Sequence, residues 1–575
     1  MFKKLLTTGK RFFTSPQDSV LSAASLIMFM VVASRVLGLV RQRVLAHFFV
    51  PEELSLFFAA FRLPDLVFEV LVFGTFSSAF IPVFTRLQKL GGQIAWKTAG
   101  IIVNLGLLVF LVISGILSLH AEFIYSILAP GYVGSDRETI VGLARVLFAA
   151  QGFFVISYVL TGVLESLRRF LVPALAPLFY NVGIILGTYF LSPTLGLMGP
   201  ALGVVFGALA HFLIQLPLAI KMGFKFSKEI KLTPEVRKIG KLAAPRILET
   251  AFLQVSKTIE LFFSSLISVA SYTYYTFGNS IQLLPVGLFG TSIAKAALPT
   301  LAREAGSPEK FKKTLLSALY DMCFFIVPFA TILVVLRVPL VRLIYGTDIF
   351  GWEATIQTGY VVSAFALGVV FQASNSLLSR SFYAVHDTRT PVIVSISTIA
   401  FVVILDFVFI RILNLDVWSL ALAFSIGSTG QAATLLYLMN RRLGKASYFS
   451  ALRPIVKSIL AALGAGSVMY FLLRIFDRSA WIKQLSFLGA FDNTQTIPFE
   501  RFVLDTRYTV NLIILTVLVS LIGGVTYIVL SVILKSEQVW NFFNLLKRLF
   551  ARRKAFPIPV KEEETVSPST SDSSS

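Results

Sequence analysis

The stretch IYSILAPGYVGSDRETIVGLARVLFA at 124–149, running on into LESLRRFLVPALAP at 164–177, has a second version in LVRLIYGTDIFGWEATIQTGYVVSAFA at 340–366 and LLSRSFYAVHDTRTPV at 377–392. Each version holds an aromatic-containing exit from an apolar run, a polar loop, and a second apolar run ending in a basic and aromatic turn. A proline then opens the next helix, where its missing N–H costs nothing. The two versions lie about 215 residues apart, which is room for six membrane-spanning helices with their connections. A parallel repeat of six spans predicts two lobes related by an axis along the membrane normal, rocking around a site between them.

The rest of the sequence requires the same solvent. Of 575 residues, 56% are hydrophobic and 14% charged, with a mean hydropathy of +0.80. A soluble or disordered chain does not carry so little polar surface. Apolar runs occur at 19–48, 56–88, 98–120, 140–167, 171–192, 198–222, 240–268, 271–302, 314–336, 356–383, 390–412, 417–440, 454–475 and 509–535. The reading is an all-α polytopic membrane protein of about 14 transmembrane helices. The first lobe covers 1–222, the second 223–441, and a two-helix extension 442–535; residues 536–575 form a cytoplasmic tail. Within the tail, EQVWNFFNLLKRLFA at 537–551 is basic and amphipathic, suited to an anionic leaflet, and the composition after Pro557 is that of a disordered segment.

The net charge of +21 follows this topology. Every second connection is basic: Arg86/Lys89/Lys97, Arg168/Arg169, Lys221 through Lys241, Lys310/Lys312/Lys313, Arg380/Arg389 and Arg441 through Lys457. Intervening connections are nearly uncharged or mixed, so the positive-inside rule puts both termini in the cytoplasm. Nucleic acid is therefore not the expected partner. The basic start, MFKKLLTTGKRFF, lacks a small-residue cleavage site before the first long run and reads as part of the protein. One cysteine, Cys323, and four scattered histidines argue against disulfides and Cys/His metal sites. No phosphate-binding GxxxxGK[ST] loop, HExxH or nucleophile elbow occurs, so the chain reads as a transporter and not an enzyme.

Charges inside hydrocarbon cost about 2.5–3.5 kcal/mol each on insertion scales, so those retained face a cavity or a partner. SRVLGLVRQRVLAHFF carries Arg35, Arg41 and Arg43 around Gly38, and FFAAFRLPDLVFEVLVFG carries Arg62, Asp65 and Glu69 around Pro64. On a straight helix Arg35 and Arg43 lie about 80° apart and Arg41 about 120° the other way, so either Gly38 kinks the helix or one arginine snorkels to the interface. Clustered guanidiniums suit a phosphate or pyrophosphate headgroup. The alternative is that Arg41 and Arg43 mark a span end and Arg62 pairs with Asp65 or Glu69. In the second half, Lys257 and Glu260 are spaced for an i,i+3 pair. Asp406 has no basic neighbour within a turn, so it is protonated, bound to a cation, or paired across helices with Lys257. Gly183/Gly187 and Gly199/Gly203/Gly207 follow small-xxx-small spacing and predict close helix packing.

The strings ASRVLGLVRQ (33–42), FFAAFRLPDL (57–66) and GTFSSAFIPVF (74–84) resemble the opening signature of the MurJ/MviN family. These are the bacterial lipid II flippases of the multidrug/oligosaccharidyl-lipid/polysaccharide exporter superfamily. APGY at 129–132, RFLVPALAPLFYN at 169–181, APR at 244–246, LPVGLFGTSIAKAALPTL at 284–301 and FYAVHDTRTPV at 382–392 continue the resemblance in order, over roughly 1–440. It implies two six-helix lobes, a two-helix extension, a cationic central cavity, and location in the bacterial cytoplasmic (inner) membrane. The implied activity is export of the undecaprenyl-pyrophosphate-linked peptidoglycan precursor to the outer leaflet. Membrane lipids and cell-wall synthesis proteins are the further partners implied. The family's basic residues match Arg35, Arg41 and Arg62, with Arg43 one position beyond as a partial substitute. Three departures stand out: Gln42 replaces an acid, Phe68 and Glu69 replace an arginine pair, and Ser280 replaces the arginine of the eighth span. No cofactor is expected apart from a sodium ion, whose family ligands align with Glu260 and Asp406, with Ser425 a third contributor. The other readings are export of a different lipid-linked oligosaccharide or amphiphile, and a cell-wall scaffold that has lost the site.

Overall fold

The computed structural model describes residues 20–73, 79–90, 92–443, 448–477 and 508–553. The basic N-terminal stretch, part of the 74–84 motif, most of the mixed connection at 476–508 and the tail beyond 553 lie outside the described residues. All elements within them are helical: α1 (Val20–Phe48), α2 (Pro51–Phe68), α3 (Ile81–Lys89), α4 (Gln93–Leu119), α5 (Ala121–Leu128), α6 (Ser135–Ser166), α7 (Leu171–Leu195), α8 (Met198–Lys221) and α9 (Pro234–Ile267). There follow α10 (Ser271–Pro285), α11 (Thr291–Glu304), α12 (Pro308–Val335), α13 (Arg337–Tyr345), α14 (Trp352–Ala384), α15 (Arg389–Phe407), α16 (Trp418–Arg442), α17 (Tyr448–Phe476), α18 (Thr509–Ile533) and α19 (Glu537–Arg553). Prolines 51, 234 and 308 occupy first turns, where the N–H they lack is not needed.

Eleven helical segments are long and apolar enough to cross a bilayer. The other three predicted spans are helices too, α1, α2 with α3, and α9, and in them the intramembrane charges are concentrated. Large apolar side chains such as Leu111, Ile116, Phe190, Ile393, Ile404, Leu463 and Leu521 point outward, forming a lipid-facing belt. On α15 only Pro391, Val394 and Asp406 are buried, so this helix lies at the lipid face with its carboxylate turned inward.

The duplicated stretches fold alike. Short α5 precedes long α6 as short α13 precedes long α14, and neither short helix was anticipated from hydropathy. Both long helices end in the same corner. Arg168 (φ 57°) and His386 (φ 61°) adopt the left-handed conformation, and the next residue's N–H returns to a carbonyl five residues back, Arg169 to Leu164 at 2.8 Å and Asp387 to Phe382 at 3.0 Å. This C-terminal cap normally uses glycine. The lobes also share an irregularity: α2 runs into a π-turn at Glu69–Phe73 and α10 into one at Val286–Gly290.

Helices α7 and α8 touch backbone to backbone. A Cβ at Gly187 would overlap Gly203 Cα, and one at Gly183 would overlap Gly207 Cα. The small-xxx-small spacing thus does what it predicts. The extension α17–α18 packs on the second lobe, where the Tyr527 hydroxyl donates to the Phe324 carbonyl of α12 at 3.0 Å. Helix α19 docks against the middle of α12 through buried Val539 and a Phe542–Phe325 ring contact.

Candidate functional site

Helix α1 is uninterrupted through Gly38 and holds three arginines in three settings. Arg35 is exposed, and its guanidinium lies against the second lobe's π-turn, 3.5 Å from where a Cβ on Gly287 would be. Arg41 is half-buried and close enough to Tyr180 of the first lobe and Tyr345 of the second to interact with both electrostatically. Neither guanidinium has a hydrogen bond or ion pair among the described residues. Arg43, read from sequence as a headgroup ligand, is occupied: it donates to the carbonyls of Leu343 at 2.6 Å and Ile344 at 3.3 Å, at the negative end of α13.

Arg62 is also tied, though not as the local spacing predicted. It is buried and donates to Thr258 Oγ1 at 3.1 Å and to the Gln254 side-chain oxygen at 2.6 Å, both on α9. Asp65 accepts from Gln151 at 2.6 Å instead, and Glu69 pairs with Lys257 across the lobes at 3.1 Å. That bridge corrects two sequence-based pairings, Lys257 with Glu260 and Lys257 with Asp406. Phe68 joins a ring cluster with Phe154 and Tyr158 inside the first lobe.

Where α1 stops and α2 begins, a polar seam holds the lobes together. Gln42 donates to Ser280 at 2.9 Å and accepts from the Tyr345 hydroxyl at 2.9 Å; Thr347 donates to the Ala46 carbonyl at 2.6 Å, and Ser55 meets Thr273 at 2.9 Å. Two of the departures from the family pattern, Gln42 and Ser280, therefore face each other. A neutral hydrogen bond stands where that pattern has an acid and an arginine.

The second lobe is hollow. A cavity of about 500 Å³ is walled by α9, α10, α14, α15 and α16, with neutral side chains including Asn279, Gln372, Asn375, Ser395, Thr398 and Gln431. Sequence reasoning passed over these residues; amides recurring in apolar helices, as in FQASNS at 371–376, were the available signal. Sharing one wall is a smaller cavity of about 10 Å³, enough for one water or ion, lined by Glu260, Tyr275 and Asp406. Asp406 Oδ1 is buried without a hydrogen-bond partner among the described residues. Ser425, the expected third contributor, is directed elsewhere: its hydroxyl donates to the Ala364 carbonyl at 2.7 Å, and it does not line this cavity. A third cavity, of about 840 Å³, is an apolar groove between α12, α14, α16 and α17.

Comparison with known proteins agrees with this geometry. Residues 45–491 match the family described as "Lipid II flippase MurJ". A Bdellovibrio bacteriovorus protein, described as "Probable lipid II flippase MurJ", is 28% identical over 466 residues, covering 79% of this chain and 88% of its own. A Vibrio cholerae protein of the same description is 27% identical, covering 69% of this chain and 79% of its own. Among solved structures, one titled "Lipid II flippase MurJ, inward closed conformation" aligns with a TM-score of 0.69 and 25% identity, over 87% of this chain and 98% of that one. An inward-facing multidrug MATE transporter of the MOP superfamily shares the fold, with a TM-score of 0.59 at 16% identity over 71% of this chain and 94% of its own. The match over most of the chain, in sequence and in fold, places this protein in the MurJ lipid II flippase family.

Proposed function

We propose that this protein moves lipid II, the polyprenyl-pyrophosphate-linked peptidoglycan precursor, from the inner to the outer leaflet of the bacterial cytoplasmic membrane by alternating access. One observation carries the reading: the guanidiniums of Arg35 and Arg41, without a hydrogen bond or ion pair among the described residues, stand at the interface of two lobes that are fastened by the polar seam at one end and joined by Arg62 and Glu69 to α9 deeper in. In a low-dielectric cleft such forks neutralise a pyrophosphate. The fastened end is the outer one if both termini are cytoplasmic, so the headgroup enters from the cytoplasm and leaves when the Gln42–Ser280 seam parts. The apolar groove beside α17 is open to the lipid's hydrocarbon tail.

Complementation of a strain depleted of its own flippase tests the reading. Arg35→Ala and Arg41→Ala each abolish growth while the protein still reaches the membrane. Growth at the wild-type rate from both variants at normal expression refutes headgroup binding by α1. Rescue without headgroup transport in vesicles would point to a scaffold.

Coupling to an ion gradient rests on Glu260 and Asp406. Two carboxylates around a one-ion cavity repel unless a proton or cation lies between them. Sodium would be held by these oxygens, without Ser425. By mass-action linkage, sodium then raises the melting temperature of the purified protein more than potassium does, and Asp406→Asn removes the difference. Equal melting in both salts refutes the sodium site.

A further inference from the structure

We infer that the neutral cavity of the second lobe is a subsite for an uncharged, hydroxyl- and amide-bearing glycan, the sugar portion of the transported lipid. This rests on the flippase reading and names what the second lobe recognises within the headgroup.

The cavity, about 500 Å³, lies within the roughly 300–1,000 Å³ range of small-ligand sites. Its chemistry is that of a carbohydrate site: amides and hydroxyls face it, while its charged groups, Lys257 and Glu260, both come from α9. Lys257 is held by Glu69 of the first lobe. A phosphate therefore meets no free cation among the described residues lining it, whereas Arg35 lies against the adjoining π-turn. Ser280 and Leu283 of α10 line the cavity, and Arg35 rests on the π-turn that begins at Val286. A group attached to a phosphate at Arg35 is thus led toward the α10 wall.

The walls also hold unmet demand. Gln372 and Asn375 line the cavity, and just beneath its surface Gln372 Oε1 and Asn375 Oδ1 have no hydrogen-bond partner among the described residues, an arrangement that costs stability unless the side chains turn to a ligand or water that supplies a donor. Sugar hydroxyls and acetamido N–H groups are such donors. The amides are already oriented: Asn375 Nδ2 donates to the Ser428 carbonyl at 3.0 Å and to Gln431 Oε1 at 3.2 Å, and Gln431 Nε2 donates to Ser395 at 2.9 Å. This chain fixes three helices around the two free carbonyl oxygens.

The test measures binding of two lipids to the purified full-length protein in nanodiscs: a short-chain polyprenyl pyrophosphate, and the same lipid bearing the N-acetylated disaccharide without peptide. The wild type binds the glycan-bearing lipid at least about tenfold more tightly, a modest figure for a site built to hydrogen-bond its ligand. Gln372→Ala and, separately, Gln431→Leu bring that ratio close to one while affinity for the sugar-free lipid stays at the wild-type value, which also reports that the variants are folded. A ratio unchanged in both variants, or equal weakening of both lipids, overturns the glycan subsite and leaves the flippase reading standing. Failure of the wild type to bind either lipid overturns both.

Discussion

The two lobes share a topology and fill it differently. Helices α6 and α14 run unbroken into the same left-handed corner, so residues can be matched by counting back from Arg168 and His386. Fourteen positions before the corner the first lobe has Phe154 and the second Gln372; eleven before, Ser157 and Asn375. Phe154 sits within rings from Phe68, Tyr158, Tyr180 and His211, with centroids 5.1–6.2 Å away. Ser157 belongs to a closed polar set, 2.6 Å from His211 Nδ1 and accepting from Gln215 at 2.8 Å. At the matching positions of the second lobe stand two amides with unpartnered oxygens beside an open cavity. The fold itself does not require a hollow; side-chain choice at a few matched positions fills this part of the first lobe and leaves its counterpart in the second a receptacle.

Exchanging those side chains tests the contrast hardest. Phe154→Gln in the first lobe loses a buried ring, a change of the kind that costs about 3–5 kcal/mol, and leaves an amide unpaired. A sharp fall in melting temperature is expected. The reverse exchange, Gln372→Phe, fills space that already exists, so melting temperature holds or rises while complementation fails. A Gln372→Phe protein that melts early would show the cavity to be collapsed and the comparison wrong.

A smaller effect separates the helix pairs. At Gly187 a Cβ meets backbone atoms of α8, which cannot yield unless the helices part. Gly187→Ala should cost about 1–3 kcal/mol, in the range of overpacked cores. At Gly427 in the matching pair of the second lobe, the nearest atoms are side-chain methyls of Val402 and Thr398. Gly427→Ala should therefore lower the melting temperature less.

The smallest effect lies at the corners. Asp387 accepts from the Thr390 backbone N–H at 3.1 Å and pairs with Arg442 at 2.9 Å, which holds its carboxyl below the usual 3.8. The first lobe has Arg169 in that place, a base where the second lobe has an acid. A depressed pKa stabilises the fold above the unfolded-state value and ceases to do so as pH falls through the folded one. Asp387→Asn should lower the melting temperature slightly near neutral pH, with the gap to wild type closing below about pH 4. The pair is partly exposed, so salt should narrow the gap as well.

Sequence reading recovers what is periodic or local. Apolar length locates the long helices, glycine spacing gives the α7–α8 contact, and the repeat emerges from two corners with the same order of residue types. Spacing could not reveal partners that come from the other lobe. Lys257 looked paired with Glu260 because three residues on a helix bring them near, yet Glu69, 188 residues earlier, takes it. Arg62 looked free or paired locally, and α9 takes it instead. Similarly, hydropathy registers charge inside a span but barely registers Gln372 or Asn375, whose unmet hydrogen bonds appear only once four other helices stand around them.

The matched π-turns bear on ancestry. Such a turn holds one residue more than an α-helix needs, so it records an insertion. Glu69 and Val286, where the two begin, are 217 positions apart, close to the 218 between the corner residues. A single insertion followed by doubling of the unit is a shorter history than two coincident insertions. The extra residue then predates the tandem chain, in a six-helix forebear that had to meet a second copy of itself, side by side and the same way up, to form a cleft at all.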